Sequence, residues 1–377
     1  MKPHNLDSPD QQQLPGPPHP LNSSRYQEAK DRPFVIPIFL PNAGCPHQCV
    51  FCNQTAITGV RQKLPSPETL RQQIISFLNY KGKKQQTVQI AFFGGNFLGQ
   101  PKKDIEFLLH EANKFIIAGK VDSIRFSTRP DTVDSYRLDM LNGLPVSTVE
   151  LGVQSMDDQV LAMVKRGHTA ADTEKAVHRL KKRKYEIGLQ LMVGLPGDDE
   201  IRSFTTGRRI MELFPDFVRI YPTLVLSNSL LANWYAKGKY IPLSLAAGVT
   251  ATKKLYLLFS HANIRVIRMG LQISGGLEKN TIILAGPYHP AFGHLVFSDI
   301  FLDRASSILK SKTTHTDTIH INVHPRSISK MRGLKNRNID SLKRNFHLKT
   351  IRILPDPSLG EDQLAIDSHL SPPGLDP

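Results

Sequence analysis

The three cysteines of the chain fall within eight positions, in Pro41-Asn-Ala-Gly-Cys45-Pro-His47-Gln-Cys49-Val-Phe51-Cys52. Their spacing is C-x3-C-x2-C. A disulfide framework would spread its cysteines along the chain and pair them, so this odd, clustered triplet reads as a metal-ligand set in a reducing compartment. Thiolates are soft donors that suit iron–sulfur clusters and zinc. A structural zinc site asks for four protein ligands, and His47 could supply the fourth, so zinc is a competitor. His47 sits between two cysteines, however, where folding back to the same ion is cramped. Three thiolates on an iron–sulfur cubane leave one iron open, which is useful only if a small molecule binds there.

Such a loop needs a rigid scaffold. The apolar run Phe34–Leu40 before it reads as a strand, interrupted by Pro37. Further strand-like runs are Val88–Phe93, Ser123–Thr128, Thr148–Val153, Glu186–Val193 and Phe217–Tyr221. Helical periodicity follows each, at Ser66–Tyr80, Lys102–Lys114, Val133–Leu141, Thr169–Arg183, Asp199–Leu213 and Leu245–Ala262. Strictly alternating strands and helices imply a parallel sheet with helices outside. Six such units are too few for a closed eight-stranded barrel and suit a partial barrel or a doubly wound sheet. Active groups should collect at the carboxyl ends of the strands. After Gly270 the pattern changes. Short apolar runs occur at Asn280–Leu284 and Leu295–Phe297, and Thr318–Val323 and Thr350–Leu354 flank a basic, helical stretch. The expected organisation is a flexible leader over 1–30, a barrel over 31–270, a basic α/β region over 271–368 and a disordered tail over 369–377.

The chain has 377 residues, 40% of them hydrophobic, which is enough for a full core. Its 48 Lys and Arg against 33 Asp and Glu give a formal charge of +15, which favours a polyanionic partner, RNA first. No apolar run is long enough to span a membrane, and the start lacks the apolar stretch of a signal peptide, so a cytoplasmic location is expected.

The segment Cys45–Cys52 resembles the signature of the radical SAM (S-adenosylmethionine) superfamily, whose usual core is a partial (β/α)6 barrel. A narrower resemblance, over about residues 34–270, is to the radical SAM half of the Elongator catalytic subunit and its prokaryotic relatives. It rests on Phe92-Phe-Gly-Gly-Asn-Phe97, Ser127-Thr-Arg-Pro-Asp131, Val149-Glu-Leu-Gly-Val-Gln-Ser155, Lys165-Arg-Gly-His168 and Gly188-Leu-Gln-Leu-Met-Val-Gly-Leu-Pro-Gly197. An oxygen-independent coproporphyrinogen oxidase and its relatives share part of this pattern.

The resemblance implies a 4Fe–4S cluster on Cys45, Cys49 and Cys52, with S-adenosylmethionine on the open iron. Reductive cleavage would then yield a 5′-deoxyadenosyl radical, with an electron from a donor such as flavodoxin or ferredoxin. It implies cofactor contacts at Gly94, Gly95 and Asn96, Gln154, Arg166, Gln190 and Met192, with Phe51 near the adenine edge. Arg166 is expected to pair with the cofactor carboxylate, for which guanidinium geometry is suited. Elongator relatives commonly carry Glu where this chain has Ser127, a hydroxyl without charge. Glu150 is expected to hold a basic partner inside the barrel, because a buried carboxylate needs one. Arg129 could equally face a ligand or form an ion pair at the rim.

Candidate substrate contacts are Tyr221 at the end of the sixth strand and, for an RNA backbone, Arg326, Lys330, Arg332, Lys343 and Arg344. The Elongator-like resemblance implies transfer RNA and its wobble uridine. No convincing Arg/Gln-x-x-Gly-x-Gly/Ala acyl-CoA loop follows residue 270, so the resemblance does not by itself imply the carboxymethyl product of that family. Two other readings stand beside tRNA modification: a radical SAM enzyme for a small anionic substrate such as a tetrapyrrole, and a non-catalytic RNA-binding metalloprotein.

Overall fold

The computed structural model describes residues 33–46, 48–59, 64–81, 87–271, 282–311 and 317–367. The expected leader over 1–30, the tail over 369–377 and His47 lie outside them. Seven parallel strands form one curled sheet: β1 (Phe34–Phe39), β2 (Val88–Phe93), β3 (Ser123–Thr128), β4 (Val146–Gln154), β5 (Glu186–Val193), β6 (Phe217–Pro222) and, beyond the short β7 (Val225–Leu226), β8 (Arg265–Met269). Neighbours in the sheet follow chain order, with only β7 set aside, as a run of consecutive strand–helix–strand units gives.

Side chains alternate across each strand. Ile90 and Phe92 of β2, Ile124 and Phe126 of β3, Val149 and Leu151 of β4, and Ile187, Leu189 and Leu191 of β5 all point outward into one core beneath the helices. The lumen takes the other set, and it is polar. Gln89, Arg125, Ser127, Glu150, Gln190 and Arg219 are among its members, with Ser127 level with Glu150 and Gln190 level with Arg219 in the strand registers.

The seventh strand goes beyond the six units read from sequence. Arg265-Val-Ile-Arg-Met269 pairs with β6 through a register shift between Val218 and Arg219. Most of its side chains are exposed because it is the edge strand, so no apolar alternation marks it.

After β9 (Ile283–Ala285), which pairs antiparallel with β7 near the mouth of the barrel, comes the long helix Phe292–Ser311. Leu295–Phe297, a short apolar run in the sequence, is part of this helix. Phe292, Val296 and Ile300 pack against Val249 and Tyr256 of helix Leu245–His261. Phe301, Ala305 and Leu309 pack on a separate three-stranded sheet. That sheet has the order β11 (Thr350–Pro355), β10 (Thr318–Val323), β12 (Leu364–Asp367). A single helix therefore packs on a barrel helix at one end and on the small sheet at the other. Among the described residues, no helix is long and apolar enough to cross a membrane.

Candidate active site

The cysteine loop leaves β1 at its carboxyl end and is laid directly on the end of β2. Leu40 N–H donates to the Phe93 carbonyl at 2.7 Å, Asn42 N–H to Gly94 at 2.8 Å, and Asn96 N–H to Ala43 at 2.8 Å. The approach is so close that a Cβ on Gly95 would lie 2.5 Å from the Ala43 oxygen and 2.6 Å from the Leu40 oxygen. Gly94 adopts φ 91°, a region that favours glycine. The glycine pair thus admits the backbone of the ligand-bearing loop.

Asn96 is the hub of this region. Its Nδ2 donates to the Gly44 carbonyl at 2.9 Å. Its Oδ1 accepts from the Thr128 hydroxyl at 2.8 Å, the Arg129 N–H at 3.0 Å and the Thr132 hydroxyl at 2.8 Å. The sequence reading put Asn96 on the cofactor, but the residue is 0% exposed and its amide is committed to protein groups. It joins the cysteine loop to the end of β3, which makes it a positioning residue. Thr128 and Thr132 were missed in the sequence because isolated threonines carry no pattern. Arg129 is buried and ion-paired at 2.9 Å with Asp131, two residues along the same segment.

Cys49 is buried, and Cys45 and Cys52 are half-buried. Burial pushes the Cys45 thiol up, opposed by Arg166, and pushes Cys52 up to about 12, with Cys49 and Cys45 adding to it. Each thiol therefore lies within electrostatic range of the others. Arg166 Nη1 is 3.4 Å from the Cys49 sulfur, while Nη2 donates to the Gly152 carbonyl at 2.6 Å. Among the described residues, no group of three His, Cys, Asp or Glu side chains is gathered as a formed metal site. The donor set still fits a centre that takes three thiolates. The thiols share one short loop, a guanidinium is in place to offset thiolate charge, and metal binding would supply the drive to deprotonate them.

The cofactor-side positions expected from sequence flank this loop. Gln154 ends β4 at φ 70°, and its Oε1 accepts from Gln190 Nε2 at 3.3 Å. Gly152 leaves the space for both neighbours, since a Cβ there would meet Arg166 at 2.8 Å and Gln154 at 3.0 Å. Phe51 and Met192 are partly buried beside Val50 and Trp234. Ser127 lines a narrow cleft with Phe93, Gly95 and Gln100. His168 is buried, and that burial, with Arg166 nearby, pushes its pKa down to about 3. It is therefore a neutral imidazole, and the next helix is capped by Thr169 instead.

Beneath these groups, Glu150 meets two guanidinium groups. Arg125 Nη2 lies 2.5 Å from its Oε1 and Arg219 Nε 2.8 Å from its Oε2. The expected basic partner of Glu150 is thus a pair. Tyr221 is half-buried on the same face, with its hydroxyl 3.5 Å from Arg219 Nη1.

The basic C-terminal residues are not one patch. Lys330 is half-buried over the Phe297 ring at 5.4 Å and 4.0 Å from Glu361, and burial lowers its pKa. That removes it from an outward-facing RNA surface. Arg326 is exposed but pairs with Glu361 at 3.0 Å. Arg332 and Arg344 are exposed and Lys343 is half-buried, with Lys343 and Arg344 both in the last turn of helix Arg337–Phe346.

The chain matches the radical SAM superfamily over residues 39–202 and the radical SAM C-terminal domain over residues 215–300. It is similar to the tRNA uridine(34) acetyltransferase of Dehalococcoides mccartyi, at 26% identity over 279 residues, covering 63% of this chain and 59% of that one. It is 29% identical over 225 residues to an uncharacterized protein of Methanocaldococcus jannaschii, covering 56% of this chain and 67% of that one. With two further Methanocaldococcus relatives included, the chain spans between 46% and 67% of the length of these curated proteins. Among solved structures, archaeal Methanocaldococcus infernus Elp3 with an N-terminal deletion has the same fold, with a TM-score of 0.56 at 21% identity over 73% of this chain and 64% of that one. With the cysteine loop on the carboxyl ends of a curled parallel sheet and adjoining matches across that sheet, the chain belongs to the radical SAM superfamily.

Proposed function

We propose that the chain is a radical SAM enzyme that modifies a base of transfer RNA. The observation that carries the catalytic part is the glycine-cradled loop of three thiols with Arg166 Nη1 at 3.4 Å from Cys49. Cys45, Cys49 and Cys52 would hold a 4Fe–4S cluster. When bound, that cluster supplies one open iron for S-adenosylmethionine and the electron that cleaves it to a 5′-deoxyadenosyl radical.

The chain's own residues do the rest. Gly95 and Asn96 hold the loop against β2 and β3. Gln154, Gln190 and Met192 would border the cofactor, and Phe51 would lie near its adenine edge. Ser127 offers a hydroxyl there and no charge. Arg166 brings positive charge next to the thiolates. The surrounding side chains limit water, which protects a reactive species from side reactions. The electron would come from a small donor protein of the flavodoxin or ferredoxin class.

The RNA part rests on two supports: relatives named for a tRNA uridine, and the basic end of helix Arg337–Phe346. A base treated inside a barrel must leave its stack, and its backbone is then held by cations outside. Comparing nucleosides of tRNA from cells with and without the gene tests this reading. It expects one modified nucleoside to disappear with the gene and return with it. Identical nucleoside profiles would overturn it.

A further inference from the structure

The lumen holds more positive charge than the fold needs. Lumen-facing positions of β3, β6 and β8 carry Arg125, Arg219, Arg265 and Arg268, and those of β4 and β5 carry only Glu150 and Glu186. Arg265 is paired with Glu186 at 2.9 Å, and Arg125 and Arg219 share Glu150. Arg268 is exposed, in register with Arg219, and has no hydrogen-bond or ion-pair partner among the described residues. Two cations on one carboxylate leave surplus charge in a mostly desolvated space, where an unmatched charge is costly. Barrel interiors are ordinarily filled by branched apolar side chains. A surplus kept there points to an anion that arrives later.

The geometry locates it. Arg219 reaches from β6 across the lumen, and its guanidinium lies 5.4 Å from the centre of the Phe93 ring on β2. Its Nε and Nη2 face Glu150, at 2.8 and 3.1 Å. Its Nη1 makes only a 3.5 Å contact with the Tyr221 hydroxyl. A guanidinium has five N–H donors, so part of its outer fork remains available, and that fork matches the oxygens of a phosphate. Gln190 and Met192, on the neighbouring strand and level with Arg219 and Tyr221, belong to the proposed cofactor space.

We propose that Arg219, Arg268 and the Tyr221 hydroxyl form an anion subsite that receives a phosphate of the nucleotide whose base is modified. This rests on the tRNA reading above. Glu150 orients the Arg219 fork from below, and Arg268 adds the second cation at the open edge of the sheet. No bond is made or broken there; the subsite sets how far the nucleotide enters.

The test measures binding of uridine 5′-monophosphate, uridine and a porphyrinogen tetracarboxylate to the full chain, beside Arg268→Gln and Arg219→Lys. Arg268 is exposed and has no hydrogen bond or ion pair among the described residues, so Arg268→Gln is expected to keep the wild-type melting temperature. Arg219→Lys keeps the charge and removes the fork. The subsite requires the monophosphate to bind at least tenfold more tightly than uridine, and that preference to vanish in both variants. Equal binding of the two, a preference that survives in folded Arg268→Gln, or tight binding of the porphyrinogen alone would overturn it. Unchanged tRNA nucleosides beside a phosphate preference lost in Arg268→Gln would sink the tRNA reading and keep an anion site. Gene-dependent tRNA modification without any phosphate preference would do the reverse.

Discussion

The rim that carries the cysteine loop and the lumen around Glu150 are built by opposite means. At the rim, the cysteine loop is held by neutral contacts: backbone hydrogen bonds, the Asn96 amide, and glycines that let two backbones touch. In the lumen, Glu150 is clasped by Arg125 and Arg219, with aromatic rings of Phe217 and Phe93 under the two guanidinium groups. Neutral contacts fix the loop's backbone and leave Arg166 to bring the charge that offsets the thiolates. Charged contacts fix a floor while leaving it able to attract an anion. The two regions should therefore fail differently when damaged.

The largest effect is expected at the thiols. Replacing Cys45, Cys49 or Cys52 by Ala should reduce 5′-deoxyadenosine formation to background, measured by chromatography after anaerobic reduction, because a ligand is lost and no other cysteine exists to replace it. Glu150→Gln should come next. It leaves two guanidinium groups without their carboxylate, and removing one partner of a buried ion pair costs about 3–5 kcal/mol. Denaturant unfolding would show this as a lower midpoint with little change in slope. Asn96→Ala should cost about 1–3 kcal/mol, the penalty for unsatisfied buried groups such as the Gly44 carbonyl. Iron retention after desalting should also fall. If Asn96→Ala lost cofactor binding with stability and iron unchanged, its role would be direct contact after all.

A smaller contrast is set by pH. Folding lowers the His168 pKa from 6.5 to about 3, so the unfolded chain binds the extra proton between those values. Stability should therefore fall as pH drops from about 6.5 toward 3, by up to a few kcal/mol. His168→Gln should flatten that part of the curve, and an unchanged slope would assign the acid sensitivity elsewhere. The smallest effect is expected on the outer surface. Replacing Lys343 and Arg344 by Gln should weaken tRNA binding several-fold and reduce the salt slope by about 2, if each meets one phosphate.

The rim and the lumen also differed in what the sequence revealed. The thiol spacing is local, so it was legible, and β2, β3 and β5 carry buried runs whose ends match the strands themselves. The protein partners of Asn96 were not legible, because only the fold brings Thr128, Thr132 and Gly44 to its amide. The lumen network joins residues 25 and 69 positions apart, which no local pattern reports. Glu150 could be expected to have a partner, but not two. β8 was hidden by its two arginines and its place at the sheet edge. Lys330 was grouped with the RNA-backbone candidates because a charge run says nothing of which side chains turn toward Phe297.

The central claim is that three thiols on the β1–β2 rim complete a cluster whose open corner serves a sulfonium cofactor. Iron, acid-labile sulfide and zinc should be counted on anaerobically reconstituted full-length protein, and the same sample assayed for 5′-deoxyadenosine after dithionite reduction. The account predicts one cubane's worth of iron and sulfide per chain, no zinc, and the nucleoside product. Stoichiometric zinc that resists replacement by iron and sulfide, with S-adenosylmethionine left intact, would contradict it.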